Sequence, residues 1–337
     1  MPASEPLAGY STWTHRWAVV LACATFPLLW IGGLVTTTDA GMAVPDWPNT
    51  YGYNLFLYPW QTWLLGPWDL FIEHGHRLLA STVGMLTIGL LVLILRNENR
   101  RWMKGIGFAA LALVILQGVL GGMRVLLDER TLAMLHGCTG PAFFAVTVAM
   151  AVFTSRSWLR ATDSSPTDGA GIIRRLTLVV AVLAYLQLVL GAVVRHVPVD
   201  AQPDTFMLAV RFHLFLAAIL TLHIIGVAWI IQTRARQVPR LRNLSLALVG
   251  LVVLQIVLGA STWIVKFAVP TWASHWISPQ SVAVIQGGWT QTHIVTAHVA
   301  VGSLILGAAV ALALYAQRLL IESPLPLVVR RELGAAI

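Results

Sequence analysis

The stretch GIGFAALALVILQGVLGGM, residues 105–123, decides the fold. It is bounded by Lys104 and Arg124, carries Gln117 as its single strongly polar side chain, and shows no period-two alternation. A helix needs about 20 apolar residues to cross a hydrocarbon core roughly 30 Å thick, so this run has the length of a membrane span. Seven more charge-free runs, of 18 residues or longer, lie at 17–38, 78–95, 131–155, 176–194, 212–233, 243–265 and about 286–317. Lipid offers the backbone no hydrogen-bond partners, which leaves helices or closed barrels as spanning structures. The expectation is therefore an all-α polytopic membrane protein with eight transmembrane helices. A chain of 337 residues that is 57% hydrophobic and 11% charged, with mean hydropathy +0.76, agrees.

The first span follows His15 and Arg16 but is long for a signal-peptide core and lacks a small-x-small cleavage site, so it reads as a retained helix. Arg16, the groups at 96–104, 156–175 and 234–242, and Arg318, Arg330 and Arg331 all fall on one side of the eight spans. By the positive-inside rule that side is the cytoplasm and both termini are inside. The opposite side holds Arg77, Arg124, Arg130, Arg195, Arg211 and Lys266, each at a span end. Because the net charge of +8 is concentrated in the inside loops, it reads as a topology signal rather than as nucleic-acid binding. The partner surface it implies is membrane lipid. Length and the absence of a transit-type beginning point to a bacterial inner membrane. Cys23 and Cys138 lie inside spans and read as small buried residues, with no outer disulfide or thiolate metal site.

Leu116-Gln117-Gly118-Val119-Leu120-Gly121 recurs as Leu186-Gln187-Leu188-Val189-Leu190-Gly191 and as Leu254-Gln255-Ile256-Val257-Leu258-Gly259, with a weaker copy at Ile31-Gly32-Gly33. Even-numbered spans match too. Arg77 follows His76 and Arg211 precedes His213, while His136 with Gly140 parallels His298 with Gly302. Gln117 stands as far from Gln255 as His76 does from His213, to within one residue. Two homologous four-helix bundles follow, in the same orientation and related by a pseudo-twofold axis along the membrane normal. The halves are 1–161 and 172–337, joined by a polar, turn-rich cytoplasmic linker at 162–171. The repeated Gln and Gly read as packing devices, small residues for close approach and an amide to bond across helices.

Ionisable side chains within spans are functional hypotheses by default. His76, His136, His213 and His298 sit within or at the outer ends of spans 2, 4, 6 and 8, one pair per half. Neutral imidazole is a strong iron ligand, and haem needs only two axial ligands. Zinc or copper would want a third ligand, and no His-x-x-x-His or Cys-x-x-Cys cluster is present. Haem propionates are anionic, and Arg77, Arg124, Arg130, Arg195 and Arg211 lie at the same depth, where snorkelling explains them equally well. Glu73, one helical turn before His76, puts a carboxylate beside the first pair, while its counterpart in the second half is Val210. That asymmetry assigns chemistry to the first site and electron transfer to the second; a solvated carboxylate near a helix start is the plainer reading of Glu73. His293 and His298 are about 140° apart around a helix and cannot both face one iron; His298 is chosen because it repeats His136, with His293 as the rival. His74 and His275 read as outer-surface residues.

Over nearly the whole chain these residues resemble the haem A synthase family. The resemblance is carried by Gly32-Gly33-Leu34-Val35-Thr36, Asp39-Ala40-Gly41-Met42, Asp46-Trp47-Pro48, Glu73-His74-Gly75-His76-Arg77, the Leu-Gln-x-x-Leu-Gly repeats and the histidines of spans 4 and 8. It implies an oxidoreductase that converts the C8 methyl of haem O to a formyl group by successive hydroxylations, giving haem A for cytochrome c oxidase. It further implies that His76 and His136 hold the substrate haem with Glu73 beside it, and that His213 and His298 ligate a haem b cofactor, with Arg77 and Arg211 at the haem sites. Haem O synthase, a farnesyltransferase, would supply the substrate, and an electron-transfer partner is required. Unlike members with cysteine pairs in outer loops, this chain has none there. Its first outer loop is instead rich in aromatics, including Tyr51, Tyr53, Trp60 and Trp63, and suggests an interfacial lid over the first site. The rival readings are a di-haem membrane electron carrier, which leaves Glu73 at one site unexplained, and a haem transporter or chaperone.

Overall fold

The computed structural model describes residues 11–160, 165–198, 200–278 and 284–323. Among them are eight helices long and apolar enough to cross a membrane. They are α1 (Thr12–Thr37), α3 (Trp68–Asn97), α4 (Arg101–Leu127), α5 (Arg130–Phe153), α7 (Ala170–His196), α8 (Pro203–Arg234), α9 (Pro239–Phe267) and α10 (Trp289–Leu319). Short helices α2 (Trp60–Leu65) and α6 (Arg156–Leu159), 3-10 turns at Ala40–Met42 and Thr271–Ala273, and two strands, β1 (Ser165–Thr167) and β2 (Leu320–Glu322), complete the order among the described residues. The protein is an all-α, multi-pass membrane protein.

Several helices outrun their charge-free stretches. α3 starts at Trp68, behind Pro67, and α8 starts with Pro203 in its first turn. Proline is pre-organised for a helix start, and a charged side chain near the interface does not end a helix. Glu73, His74, His76, Arg77 and Arg211 are therefore helical residues on rigid scaffolds. Elsewhere caps place the ends: Ser11 accepts from Thr14 N at the start of α1, and Asp128, in the left-handed region, turns the chain from α4 into α5.

Helices α1, α3, α4 and α5 contact one another as a four-membered ring, and α7, α8, α9 and α10 form a second. The rings meet through α5 with α10, α1 with α10 and α5 with α7. Two thirds of the apolar window of α10 is buried, against 17% for α4, α7 and α9, so α10 is the central post and those three face lipid. Small residues make this possible. Gly302, Ser303, Gly307, Ala309 and Ala313 are all buried in α10, which lets neighbouring backbones approach where lipid provides no hydrophobic drive. Separate apolar clusters fill the two rings, one around Leu21, Leu90 and Ile94, the other around Ile173, Ile231, Leu248 and Leu312.

Two expectations change here. Within the stretch 162–171, residues 165–167 pair in parallel with 320–322, Glu322 accepts from Gly169 N and Gly171 N, and α7 already begins at Ala170. That part of the linker is pinned to the chain after α10, while 162–164 lie outside the described residues, as do Arg330 and Arg331. Cys138 is buried, but Cys23 is exposed, because its face of α1 opens on a groove rather than on a neighbouring helix.

A methyl group at Gly307 would stand 2.9 Å from Phe144 Cε1 and 3.3 Å from Val148 Cγ2, whereas one at Gly118 would meet nothing within 4 Å. Gly307→Val should overpack the seam between the rings and cost about 1–3 kcal/mol, read as a lowered thermal midpoint in detergent, with Gly118→Ala as the near-neutral control.

Candidate functional site

In each ring the two members that face each other across its centre carry one histidine apiece. His76 on α3 and His136 on α5 have ring centroids 6.5 Å apart; His213 on α8 and His298 on α10 are 6.4 Å apart. The other two members of each ring carry a glycine against each imidazole. A methyl group added at Gly32 would stand 3.0 Å from His76 Cε1, and the same contact is 3.1 Å for Gly121 with His136, 3.3 Å for Gly191 with His213 and 3.1 Å for Gly259 with His298. The same arrangement occurs four times, on four different helix pairs. The glycines of the repeated motif are therefore seats for imidazoles as well as points of close helix approach.

The glutamines of that motif complete the seats. Gln117 accepts through its backbone carbonyl from His136 Nδ1 at 3.1 Å, and its side-chain amide bonds Thr139 Oγ1. A carbonyl can only accept, so Nδ1 of His136 carries the proton and Nε2 keeps its lone pair. Gln187 places its amide nitrogen 3.0 Å from the His213 carbonyl and 3.1 and 3.2 Å from the two ring nitrogens. Nδ1 of His76 is buried and has no hydrogen-bond partner among the described residues. Reading the Gln and Gly as packing residues missed this. The available signal was that they recur in step with the histidines.

The arrangement suits an ion with two axial nitrogen ligands. Two metal–imidazole bonds of about 2 Å plus two ring radii sum to roughly 6 Å, close to both observed spacings. Among the described residues no group of three or more His, Cys, Asp or Glu could hold a metal by itself. His298, rather than His293, faces His213; the His293 ring lies 3.9 Å from that of Trp289.

What distinguishes the first pair is the loop that follows α1. Arg77, one residue beyond His76, donates from Nη1 to the carbonyls of Asp46 at 2.6 Å and Asn49 at 2.9 Å, and from Nη2 to Val44 O and Glu73 Oε1, both at 2.7 Å. Four of its five N–H donors are thereby engaged, leaving Nε–H. Glu73, 3% exposed, completes the clamp by accepting from Val44 N through Oε2 at 2.9 Å. Arg124 bonds Gly41 O at 2.7 Å, and its guanidinium fills the space a side chain at Gly41 would need. Trp47 likewise packs onto Gly122 of α4.

Asp46 closes the loop on itself, accepting from Tyr51 N at 2.7 Å and Gly52 N at 2.8 Å. Burial alone would raise its carboxyl, but those N–H groups and Arg77 outweigh it and hold the pKa below the ordinary aspartate value. His74 corrects an expectation. Rather than lying at the surface it is 2% exposed, bonded through Nδ1 to Thr50 Oγ1 at 3.0 Å and packed against the rings of Tyr58 and Trp63, because the loop folds over it. His275 is exposed.

The remaining outer arginines divide. Arg195 crosses between the rings to Gly33 O at 3.0 Å and Thr37 Oγ1 at 2.6 Å on α1. Arg130 and Arg211 are exposed at the rim, Arg211 two residues before His213. Val210, the counterpart of Glu73, is a buried apolar residue.

A family model described as cytochrome oxidase assembly protein (COX15-CtaA) matches residues 68–207, which run from the start of α3 into α8. A heme A synthase of Symbiobacterium thermophilum is 33% identical over 177 residues, 50% of this chain and 54% of that protein. A heme A synthase of Exiguobacterium sibiricum is 28% identical over 224 residues, 61% of this chain and 72% of its own length. A protoheme IX farnesyltransferase of Halobacterium salinarum is 28% identical over 179 residues, 49% of this chain and 37% of that protein. The chain spans about half the length of the first of these relatives. The family-model match covers fewer than half of the residues, and the heme A synthases are similar to this chain over roughly half to three fifths of its length.

Proposed function

We propose that this protein is a haem A synthase: a membrane oxidoreductase that takes haem O as substrate and oxidises its C8 methyl group to a formyl group. The observation that carries the reading is a pair of matched bis-histidine seats of which only the first is roofed by a clamped loop. In this reading His76 and His136 hold the substrate haem, and His213 and His298 hold a haem b whose iron, when bound, supplies one-electron transfer. Each of two successive hydroxylations takes one oxygen from water and releases two electrons and two protons, and the resulting gem-diol loses one water to leave the aldehyde, so the methyl group gives up four electrons and four protons in all. The electrons pass to a separate electron-transfer partner. The similarity to a protoheme IX farnesyltransferase supports a working link to the enzyme that attaches the farnesyl chain, haem O synthase.

The chain's own residues have definite parts. The Gln117 carbonyl keeps the Nδ1 proton on His136 and so directs Nε2 at the iron. The glycines fix the depth of each imidazole. Glu73, read from sequence as marking the site of the chemistry, has both oxygens engaged by Arg77 and Val44, and we assign it a positioning part: with Arg77 it holds residues 44–49 beside the first pair. Nε–H of Arg77 and the exposed guanidinium of Arg211 remain for haem propionates. In the cell we place the protein in the bacterial inner membrane, with both termini cytoplasmic and both histidine pairs toward the outer side. The near-equal spacing of the two pairs also favours a second reading, a di-haem electron carrier.

Haem extracted from cells that make haem O separates the readings. Wild type should yield haem A; His76→Ala should abolish it and Glu73→Ala should lower it at least tenfold, since breaking a buried ion pair costs about 3–5 kcal/mol, while a bis-histidine haem b spectrum persists in both. No haem A from an intact, haem-loaded wild type with its redox partners would favour the carrier. A second measurement addresses the seats. Gly259→Leu should push His298 off its position and remove the low-spin bis-histidine signal of the second site, while Gly250→Ala, with open space around it, should leave the spectrum unchanged.

A further inference from the structure

At the arginine-rich end, away from the histidine pairs, a groove of about 640 Å³ opens where α1 and α5 of one ring meet α9 and α10 of the other. Its mouth is polar and basic, with Arg16, Arg156, Arg240, Ser157 and Tyr315, and among the described residues the lining contains no carboxylate. Arg240 is held in place: its Nη1 bonds Ser157 Oγ and, at 3.1 Å, Tyr315 Oη, and its guanidinium lies 5.2 Å from the Tyr315 ring centre. Deeper along the same groove the wall becomes apolar, through Val19, Ala22, Cys23 and Val148. From Arg16 to Cys23 the helix rises about 10 Å, so the basic mouth sits at headgroup depth and the apolar wall at acyl depth.

We propose that this groove binds an anionic phospholipid, its phosphate among Arg16, Arg156 and Arg240 and one acyl chain along Val19, Ala22 and Val148. A phosphate next to a hydrocarbon chain is the ligand chemistry that matches a basic mouth continuous with an apolar wall. Seated there, the lipid bridges the two rings at the end opposite the histidines. The site is independent of the haem chemistry.

The test is native mass spectrometry of the full-length protein in neutral detergent with an equimolar mixture of palmitoyl-oleoyl phosphatidylglycerol and phosphatidylcholine. Wild type should retain phosphatidylglycerol over phosphatidylcholine. The Arg16→Gln/Arg240→Gln variant should lose that preference by about tenfold or more, and Ala22→Trp, which blocks the wall with the charges intact, should lose retention as well. Arg174→Gln, at the same end but outside the groove, should not. Cys23 gives a readout within the wild type: its labelling by N-ethylmaleimide should slow with phosphatidylglycerol and not with phosphatidylcholine. Unchanged retention in the double variant, or no protection of Cys23 in wild type, overturns the proposal. Displacement of phosphatidylglycerol by millimolar inorganic phosphate, with Ala22→Trp without effect, would overturn it in favour of a simple phosphate site.

Discussion

The contact on which the site depends is the one between a glycine and the edge of an imidazole. In lipid, helices gain nothing from hiding apolar surface from one another, so how closely they approach is decided by what lies between them. Here that is a glycine on one helix and a histidine on its neighbour, repeated four times with a spread of a few tenths of an ångström. A side chain at any of these glycines would have to displace the ring. With the rings seated, each pair spans the distance a two-coordinate axial arrangement requires, and the backbone carbonyl of Gln117 sets which nitrogen of His136 is available.

The halves share this framework and differ in what surrounds it. Around the first pair, buried ions hold a loop that is otherwise rich in exposed aromatic side chains, and Arg77 alone engages three of its carbonyls. Removing a partner from such a buried network leaves an unpaired charge or N–H, which is far more costly than the net worth of the bonds themselves. Around the second pair, Val210 stands where Glu73 does in the first and Arg211 is exposed. In the proposed reading, two similar histidine seats, one with a clamped rim and one without, are the arrangement expected of two haems with different work.

Most of the framework was legible because lipid is so restrictive a solvent. Charge-free runs located all eight spans, and the pairing of histidines followed from their place in the repeat. The ends were less legible, since α3 and α8 continue through Glu73, Arg77 and Arg211, and charge marks the membrane boundary rather than the end of a helix. His74 looked exposed because only the folded loop, through Thr50, Tyr58 and Trp63, covers it. Glu73 and Arg77 were visible as a charged pair one turn apart, but their partners are backbone carbonyls and an N–H nearly thirty residues or more away, which no local spacing encodes.

The central claim is that each ring holds one haem between two histidines. Low-temperature electron paramagnetic resonance of the purified, oxidised protein, combined with haem quantitation, tests it directly. The account predicts up to two haems per chain, both low-spin with bis-imidazole signals, and loss of one signal at a time in His136→Ala and His213→Ala. A high-spin iron in both sites of the wild type, or signals that survive both substitutions, would contradict it.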